Sequence, residues 1–140
     1  MSASWLLVRA GARRIGLALT DVVEVLDPGP VYPVPAQEPA VRGVTRARGE
    51  IMPLVHLQAL LDGTACPEHR GAATILVKVD GRPLCLEVDD AEEVLSEPGH
   101  PVPRGTTLPF AAAVARRPEG LVPLLDLGAL VARISETTSA

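Results

Sequence analysis

The side chains with the greatest capacity for chemistry form an acidic run: Asp89, Asp90, Glu92 and Glu93. Paired carboxylates act as general acid and base, or they bind a divalent cation. Neighbouring residues of an extended strand point to opposite faces, however, so each pair is expected to be separated. We interpret the run as a solvated strand end rather than as a catalytic or cation site.

A second set of reactive side chains consists of two histidines and two cysteines: His56, Cys66, His69 and Cys85. Cys66 and His69 are close enough in sequence to chelate, but no second paired motif accompanies them, and structural zinc sites use such pairs. The favoured interpretation is a loop thiol and a solvated imidazole, without a metal. Two cysteines do not make a disulfide framework, and free thiols fit a reducing compartment.

No motif marks a catalytic nucleophile or a phosphate-binding loop. The sequence contains no Gly-x-Ser-x-Gly, no Walker loop and no Gly-x-Gly-x-x-Gly, which are common signatures of such sites. No side chain is therefore marked as catalytic, and a binding or scaffolding protein is the favoured interpretation. A small enzyme or ligand-binding barrel that uses His56, Cys85 and the acidic run is an alternative from another class.

The composition restricts the kinds of partner that the protein can bind. Of 140 residues, 47% are hydrophobic, but there is only one Trp, one Tyr and one Phe. The net charge of −4 and the lack of a basic run with interleaved aromatic residues argue against nucleic-acid binding. No apolar segment approaches the ~18 residues of a membrane-spanning helix, and the N-terminal apolar run is too short for a signal peptide. We expect a soluble cytoplasmic protein without membrane insertion.

An internal repeat positions these side chains. Residues 51–61 align without a gap with residues 121–131 at an offset of 70, and residues 14–26 align with residues 83–95 at an offset of 69. Such a repeat predicts two small lobes of one design that share a core. The predicted fold is mainly β, with a short helix after the last strands of each lobe.

The boundaries follow from the turns and the linker. We predict one domain over residues 1–140, with lobes at approximately 14–63 and 73–126 that exchange strands or helices at their termini. Pro53 and Pro123 occupy the same place in the repeat and imply edge positions or bulges. Asp126 is a suitable N-cap for a helix over residues 127–134, and the polar residues 135–140 are expected to fray.

Several of these residues resemble the CheW family of bacterial chemotaxis coupling proteins. The similar features are Val22-x-Glu24-Val25-Leu26, Val41-x-Gly43-Val44, a turn that ends in Arg48-Gly49, and the second-half run over residues 120–127. The resemblance extends over about residues 5–134. It implies two five-stranded SH3-like β-barrels and an adaptor that links a CheA-type histidine kinase to the cytoplasmic hairpin tips of chemoreceptors. The resemblance also implies recruitment to membrane-associated arrays, with no catalysis and no cofactor.

The resemblance also implies which residues contact partners. The arginine of the family's Asn-Leu-Arg-Gly turn, which faces the receptor helices near the groove between the lobes, corresponds to Arg48, and the turn glycine corresponds to Gly49. Gly43 matches the family's glycine on the preceding strand, and Val22 and Glu24 match a first-lobe segment near the same surfaces. Where the family has Asn-Leu, this chain has Arg46 and Ala47, so Arg46 joins the predicted partner-binding set.

A further departure lies at the first short helix. The family's usual Asp is His56 in this chain, and we expect the loss of a helix cap worth about 1 kcal/mol. These departures leave open a divergent CheW-like module that binds a single partner, for localisation or in a signalling array unrelated to motility.

Overall fold

The structure is a computed structural model that describes residues 3–105 and 109–138. Alternating apolar residues form eleven strands within these ranges: β1 Ser4–Ala10, β2 Arg13–Ala18, β3 Val22–Leu26, β4 Val31–Tyr32, β5 Val41–Ala47, β6 Glu50–His56, β7 Ala73–Val79, β8 Arg82–Val88, β9 Asp90–Ser96, β10 Ala111–Arg117 and β11 Gly120–Leu125. Helix α1, Leu57–Asp62, follows β6, and helix α2, Leu127–Thr138, follows β11. The prediction of a mainly β protein is confirmed.

The strands form two sheets. Sheet I has the order β3-β7-β8-β6-β5-β4, and sheet II has the order β9-β1-β2-β11-β10. We call each sheet with its interior lobe I and lobe II. Sheet II has five strands, and sheet I has a sixth because the short edge strand β4 pairs with β5 at Val31 and Tyr32.

The two sheets exchange hairpins between the halves of the sequence. Lobe I takes hairpin β7-β8 from the second half, and lobe II takes hairpin β1-β2 from the first half. In each lobe the exchanged hairpin lies in the middle of the sheet, where it pairs in parallel with the last strand of the other half. The exact lobe boundaries, 14–63 and 73–126, stay a prediction, since strands cross between the sheets.

The repeat is visible in the strand register. The β5-β6 ladder is irregular between Val41 and Gly43, and the β10-β11 ladder is irregular between Ala111 and Ala113, 70 residues later. Pro53 comes one residue before the parallel pairing of β6 with β8 begins at Leu54. Pro123 likewise precedes Leu124, which pairs with β2. Each proline therefore lies just before the pairing with the exchanged hairpin begins, so that its missing N–H has no partner strand on the side of that hairpin.

Among the residues that the structure describes, three groups of buried side chains stabilise this arrangement. The largest group lies between the sheets and under both helices, and it includes four residues of α2: Leu127, Leu130, Val131 and Ile134. The interior of lobe I contains Ala47, Met52, Leu54, Leu76 and Cys85. The interior of lobe II contains Leu7, Ala115, Val122 and Leu124, with Trp5 packed against them.

The second helix begins as expected but ends later. Oδ1 of Asp126 accepts a hydrogen bond from the backbone N–H of Ala129 at 3.1 Å, so the predicted N-cap is confirmed. The helix then continues to Thr138, four residues beyond the predicted end and into the segment expected to fray. Within the described ranges, neither helix is long and apolar enough to cross a membrane.

Candidate partner-binding surface

The tight turn between β5 and β6 consists of only two residues, Arg48 and Gly49. Both have positive φ, 51° at Arg48 and 77° at Gly49, as a type I′ turn requires to match the twist of its strands. Glycine adopts this conformation freely, but an arginine pays about 1 kcal/mol for it. The chain therefore presents a long cationic side chain from a strained position at the tip of lobe I.

Glu24 of β3 holds this arginine in place. Nε of Arg48 donates to Oε1 of Glu24 at 2.7 Å, and both side chains are solvent-exposed, at 58% and 40%. Since β3 and β5 lie towards opposite edges of sheet I, the ion pair shows that the sheet curls until its edges approach. It orients the guanidinium, although an exposed pair stabilises the fold by only about 0–1 kcal/mol.

Exposed apolar residues accompany the ion pair. Val23 and Val25 flank Glu24 on β3 and are 38% and 48% exposed, and Ile51 on β6 is 64% exposed. Ile51 pairs across the ladder with Arg46, whose side chain also faces solvent. We call Glu24, Arg46, Arg48, Gly49 and Ile51 the Arg48 surface. Val23 and Val25 are exposed on the face of β3 opposite to Glu24.

The sequence prediction did not include Ile51 or the exposed Val25. The alternation of residues along β3 contains the signal for Val25, but which face lies outward depends on the packing of the whole sheet.

Two of the predicted partner-binding residues are buried or partly buried. Gly43 is buried, and a Cβ atom there would lie 2.4 Å from the backbone oxygen of Tyr32. Val22 is partly buried and packs against the core between the sheets. Gly43 thus allows the close approach of the Tyr32 backbone, and Val22 contributes to the core. Their role in partner contact stays a prediction.

A charged cluster that the sequence prediction missed lies in lobe I. The Glu87 side chain on β8 is fully buried and accepts hydrogen bonds from Nε and Nη2 of Arg42, at 2.9 and 2.6 Å, and from Nε of Arg70. Arg42 also donates to the backbone oxygens of Pro67 and His69, both at 2.8 Å. Because a buried carboxylate requires such partners, Glu87 fixes the linker between the halves onto the sheet.

A CheW-like domain model matches residues 4–135. The chain belongs to the CheW-like family. No curated protein sequence is significantly similar to it.

The scaffolding protein TtCheW from Thermoanaerobacter tengcongensis has a similar crystal structure. The TM-score is 0.77 at 21% sequence identity, over 91% of this chain and 86% of that chain. At this identity the likeness supports the fold, and the family match supports membership of a family of scaffold and coupling proteins in chemotaxis. The resemblance inferred from the sequence is confirmed.

The CheW-like chain keeps a helix cap where we expected it to be lost. The Nδ1 atom of His56 accepts a hydrogen bond from the backbone N–H of Ala59 at 3.1 Å, so the expected loss of a cap is wrong. A neutral imidazole supplies an acceptor at the position where Asp126 supplies a carboxylate in the second half. Burial lowers the pKa of His56, and the neighbouring Arg42 and His69 lower it further, although Glu87 and Asp89 oppose this.

The side chains considered for a metal or catalytic site do not converge on one point. His56 and His69 stack edge to face with ring centroids 6.3 Å apart, whereas Cys85 lies inside lobe I. Burial raises the pKa of the Cys85 thiol to about 11 and also raises that of Cys66, which disfavours thiolates. Within residues 3–105 and 109–138, no three His, Cys, Asp or Glu side chains are arranged to hold a metal ion.

The acidic run is divided among separate partners, as expected for a strand end. Oδ2 of Asp89 accepts a hydrogen bond from the backbone N–H of Gly11. Glu92 pairs with Arg14 at 3.1 Å, and Glu93 pairs with Arg117 at 2.9 Å. An open depression of about 770 Å³ beside Arg14 is lined by residues of β2, β11 and their turns and includes none of the predicted site residues.

Proposed function

We propose that this CheW-like protein is a non-catalytic adaptor that links a CheA-type histidine kinase to the cytoplasmic hairpin tips of chemoreceptors. It would act in the cytoplasm, recruited to membrane-associated receptor arrays. The observation that carries the proposal is the family match over residues 4–135. The Arg48 surface supports it, because the family's partner-facing arginine is exposed and oriented by Glu24.

The surface has the chemistry of a protein contact. Exposed Ile51 offers an apolar anchor, and the pre-oriented guanidinium of Arg48 offers a directed, charge-assisted hydrogen bond. Among the described residues, the hydrogen bonds of Arg48 involve its Nε atom, which leaves the terminal nitrogens to donate to a carboxylate or a carbonyl of a helical hairpin.

A second candidate is a CheW-like module that binds a single partner. It is favoured by the turn itself, where exposed Arg46 adds a cation and Ala47, 5% exposed, fills the lobe interior in place of a leucine. A changed charge and shape at this surface would alter which partner fits. A ligand- or metal-binding barrel has weaker support, because its candidate side chains are dispersed.

Co-purification from the native lysate separates these candidates. The tagged chain is recovered and its companions are identified by mass spectrometry. Recovery of both a chemoreceptor and a CheA-type kinase supports the adaptor. Recovery of only one of them, or of an unrelated protein, favours the single-partner module.

A charge swap tests whether Arg48 contacts the partner or merely supports the turn. Arg48→Glu removes the cation, and the double variant Arg48→Glu with Glu24→Arg restores an ion pair of reversed polarity. We expect neither variant to recover the receptor if Arg48 contacts it. Recovery by the double variant alone would assign Arg48 a role in turn geometry instead.

A further inference from the structure

His56 lies where helix α1, the linker and the two lobes meet. It is the last residue of β6, is 4% exposed, and caps α1 through Nδ1. Its ring packs edge to face on His69 of the linker, whose backbone oxygen is held by Arg42 at 2.8 Å. The same imidazole therefore contacts both the first turn of α1 and the segment that joins the two halves.

Helix α1 in turn connects lobe I to lobe II. Asp62 at its end pairs with Arg13 of β2 at 2.9 Å, and the Gln58 side chain fills the space beside Gly11, in the β1-β2 turn. Leu57, Leu60 and Leu61 of α1 are buried in the core between the sheets. A change in the first turn of α1 is thus positioned to affect the joint between the lobes.

The charges around His56 come from every element packed against it. Those that influence its ionisation are Glu87 of β8, Asp89 just after β8, Arg42 of β5 and His69 of the linker, and Asp62 of α1 lines the same small pocket. Glu87, the carboxylate that acts most strongly on His56, is already bound by two arginines. An imidazolium at position 56 would therefore be buried without a carboxylate of its own.

We propose that His56 is a pH-sensitive helix cap that stabilises the junction between the lobes. In its neutral form it caps α1 and supports the linker. Protonation places a proton from solvent on Nδ1, which removes the only lone pair that accepts the Ala59 N–H. The first turn of α1 and the linker over it then loosen, while the strands of both sheets stay paired. This device goes beyond the adaptor role and does not depend on it.

The direction of the effect follows from linkage. Because the folded state lowers the pKa of His56 below its ordinary value of 6.5, the unfolded or opened state binds more protons. The cap is thus fully effective above the ordinary value and is lost as the pH falls through the lower, folded value.

Two measurements on the full chain test the proposal. Long-range proton–nitrogen spectra of the imidazoles report the tautomer, and we expect the neutral His56 ring to carry its proton on Nε2. Amide exchange of Ala59, followed from about pH 8 to about pH 5, reports opening, whose equilibrium constant should rise by up to about tenfold per pH unit between the two pKa values.

Matched variants assign the effect to one ring. His56→Asn keeps an acceptor at the cap but cannot titrate. The exchange rate of the Ala59 amide, once corrected for the intrinsic pH dependence of amide exchange, should therefore become independent of pH. His69→Asn should leave the dependence in place. A proton on Nδ1 of neutral His56, or an unchanged pH dependence in His56→Asn, would overturn the proposal. If His56→Asn does not fold, the tautomer of wild-type His56 and the pH profile of Ala59 exchange still test the proposal.

Discussion

The two lobes repeat one design but differ at the tips of their equivalent hairpins. Position 48 in lobe I corresponds to position 118 in lobe II, where the residue is a proline. Proline fixes a negative φ, and in lobe II the positive φ falls on Gly120, at 132°. Lobe I instead holds an arginine at a φ of 51°, a conformation that disfavours it.

Both hairpins are nevertheless tied to the opposite edge of their sheet by an arginine and a glutamate. Lobe I uses Arg48 and Glu24, whereas lobe II uses Arg117 and Glu93. Arg117 belongs to the strand and is 25% exposed, and Arg48 belongs to the turn and is 58% exposed. An arginine on the strand suffices for the ion pair, so the strained and exposed position of Arg48 suggests a role outside the chain.

The largest difference between the lobes is the buried carboxylate. Glu87 in lobe I corresponds to Ala18 in lobe II. We expect Glu87→Ala to lower the free energy of unfolding by about 3–5 kcal/mol, because Arg42 and Arg70 lose their buried partner. Glu93→Ala, which breaks the exposed pair of lobe II, should cost less than about 1 kcal/mol. Denaturant unfolding of both variants measures this, and equal losses would contradict the distinction.

In each lobe a segment of the chain passes close to the first strand of the hairpin, and one glycine makes room for this contact. The glycine lies on the strand in lobe I and on the passing segment in lobe II. In lobe I it is Gly43 on β5, whereas lobe II has Ala113 at that position and Gly99 in the passing segment. We expect Gly43→Ala to cost about 1–3 kcal/mol, since the new Cβ meets the Tyr32 backbone. Thermal unfolding should show a smaller loss for Gly49→Ala, where a Cβ meets no atom within 4 Å and only the positive φ costs stability, about 1 kcal/mol. The reverse order would show that this contact tolerates a side chain.

The smallest expected effect concerns the strain at Arg48. Asparagine accepts positive φ more readily, and Asn-Gly is favoured in type I′ turns. We expect Arg48→Asn to leave the free energy of unfolding unchanged or to raise it by up to about 1 kcal/mol, despite the loss of the Glu24 pair. The control is Asp80→Asn in the β7-β8 turn, also at a φ of 51°. A marked loss of stability in Arg48→Asn alone would mean that Arg48 serves the fold.

Local patterns predicted much of this fold. The repeat at an offset of 70 anticipated the equivalent irregularities of the two ladders. Of the two alternatives that Pro53 and Pro123 implied, the edge position is wrong, because β6 and β11 have partner strands on both sides, and the bulge is confirmed by the irregular ladders. These features depend on residues close in sequence. The exchange of hairpins between the lobes depends instead on parallel pairing of distant strands, such as Leu54 with Cys85, and no local signal specifies it.

The candidate site was predicted only in part for a similar reason. Arg48 and Glu24 were both proposed from the resemblance, but their ion pair depends on the curl of sheet I. Glu87 looked like an ordinary polar residue in an alternating strand, because its partners Arg42 and Arg70 are distant in sequence. The cap by His56 was missed because an imidazole accepts a hydrogen bond only in its neutral form.

The most direct test of the adaptor account compares matched charge reversals in the two lobes. Arg48→Glu and Arg117→Glu are tagged, and the chemoreceptor recovered with each from the native lysate is quantified by mass spectrometry, with thermal unfolding as a check on folding. We predict that Arg48→Glu lowers receptor recovery by about tenfold or more, and that Arg117→Glu keeps it within about twofold of wild type. Undiminished recovery with Arg48→Glu, or equal losses in two folded variants, would contradict a partner-binding role for the Arg48 surface.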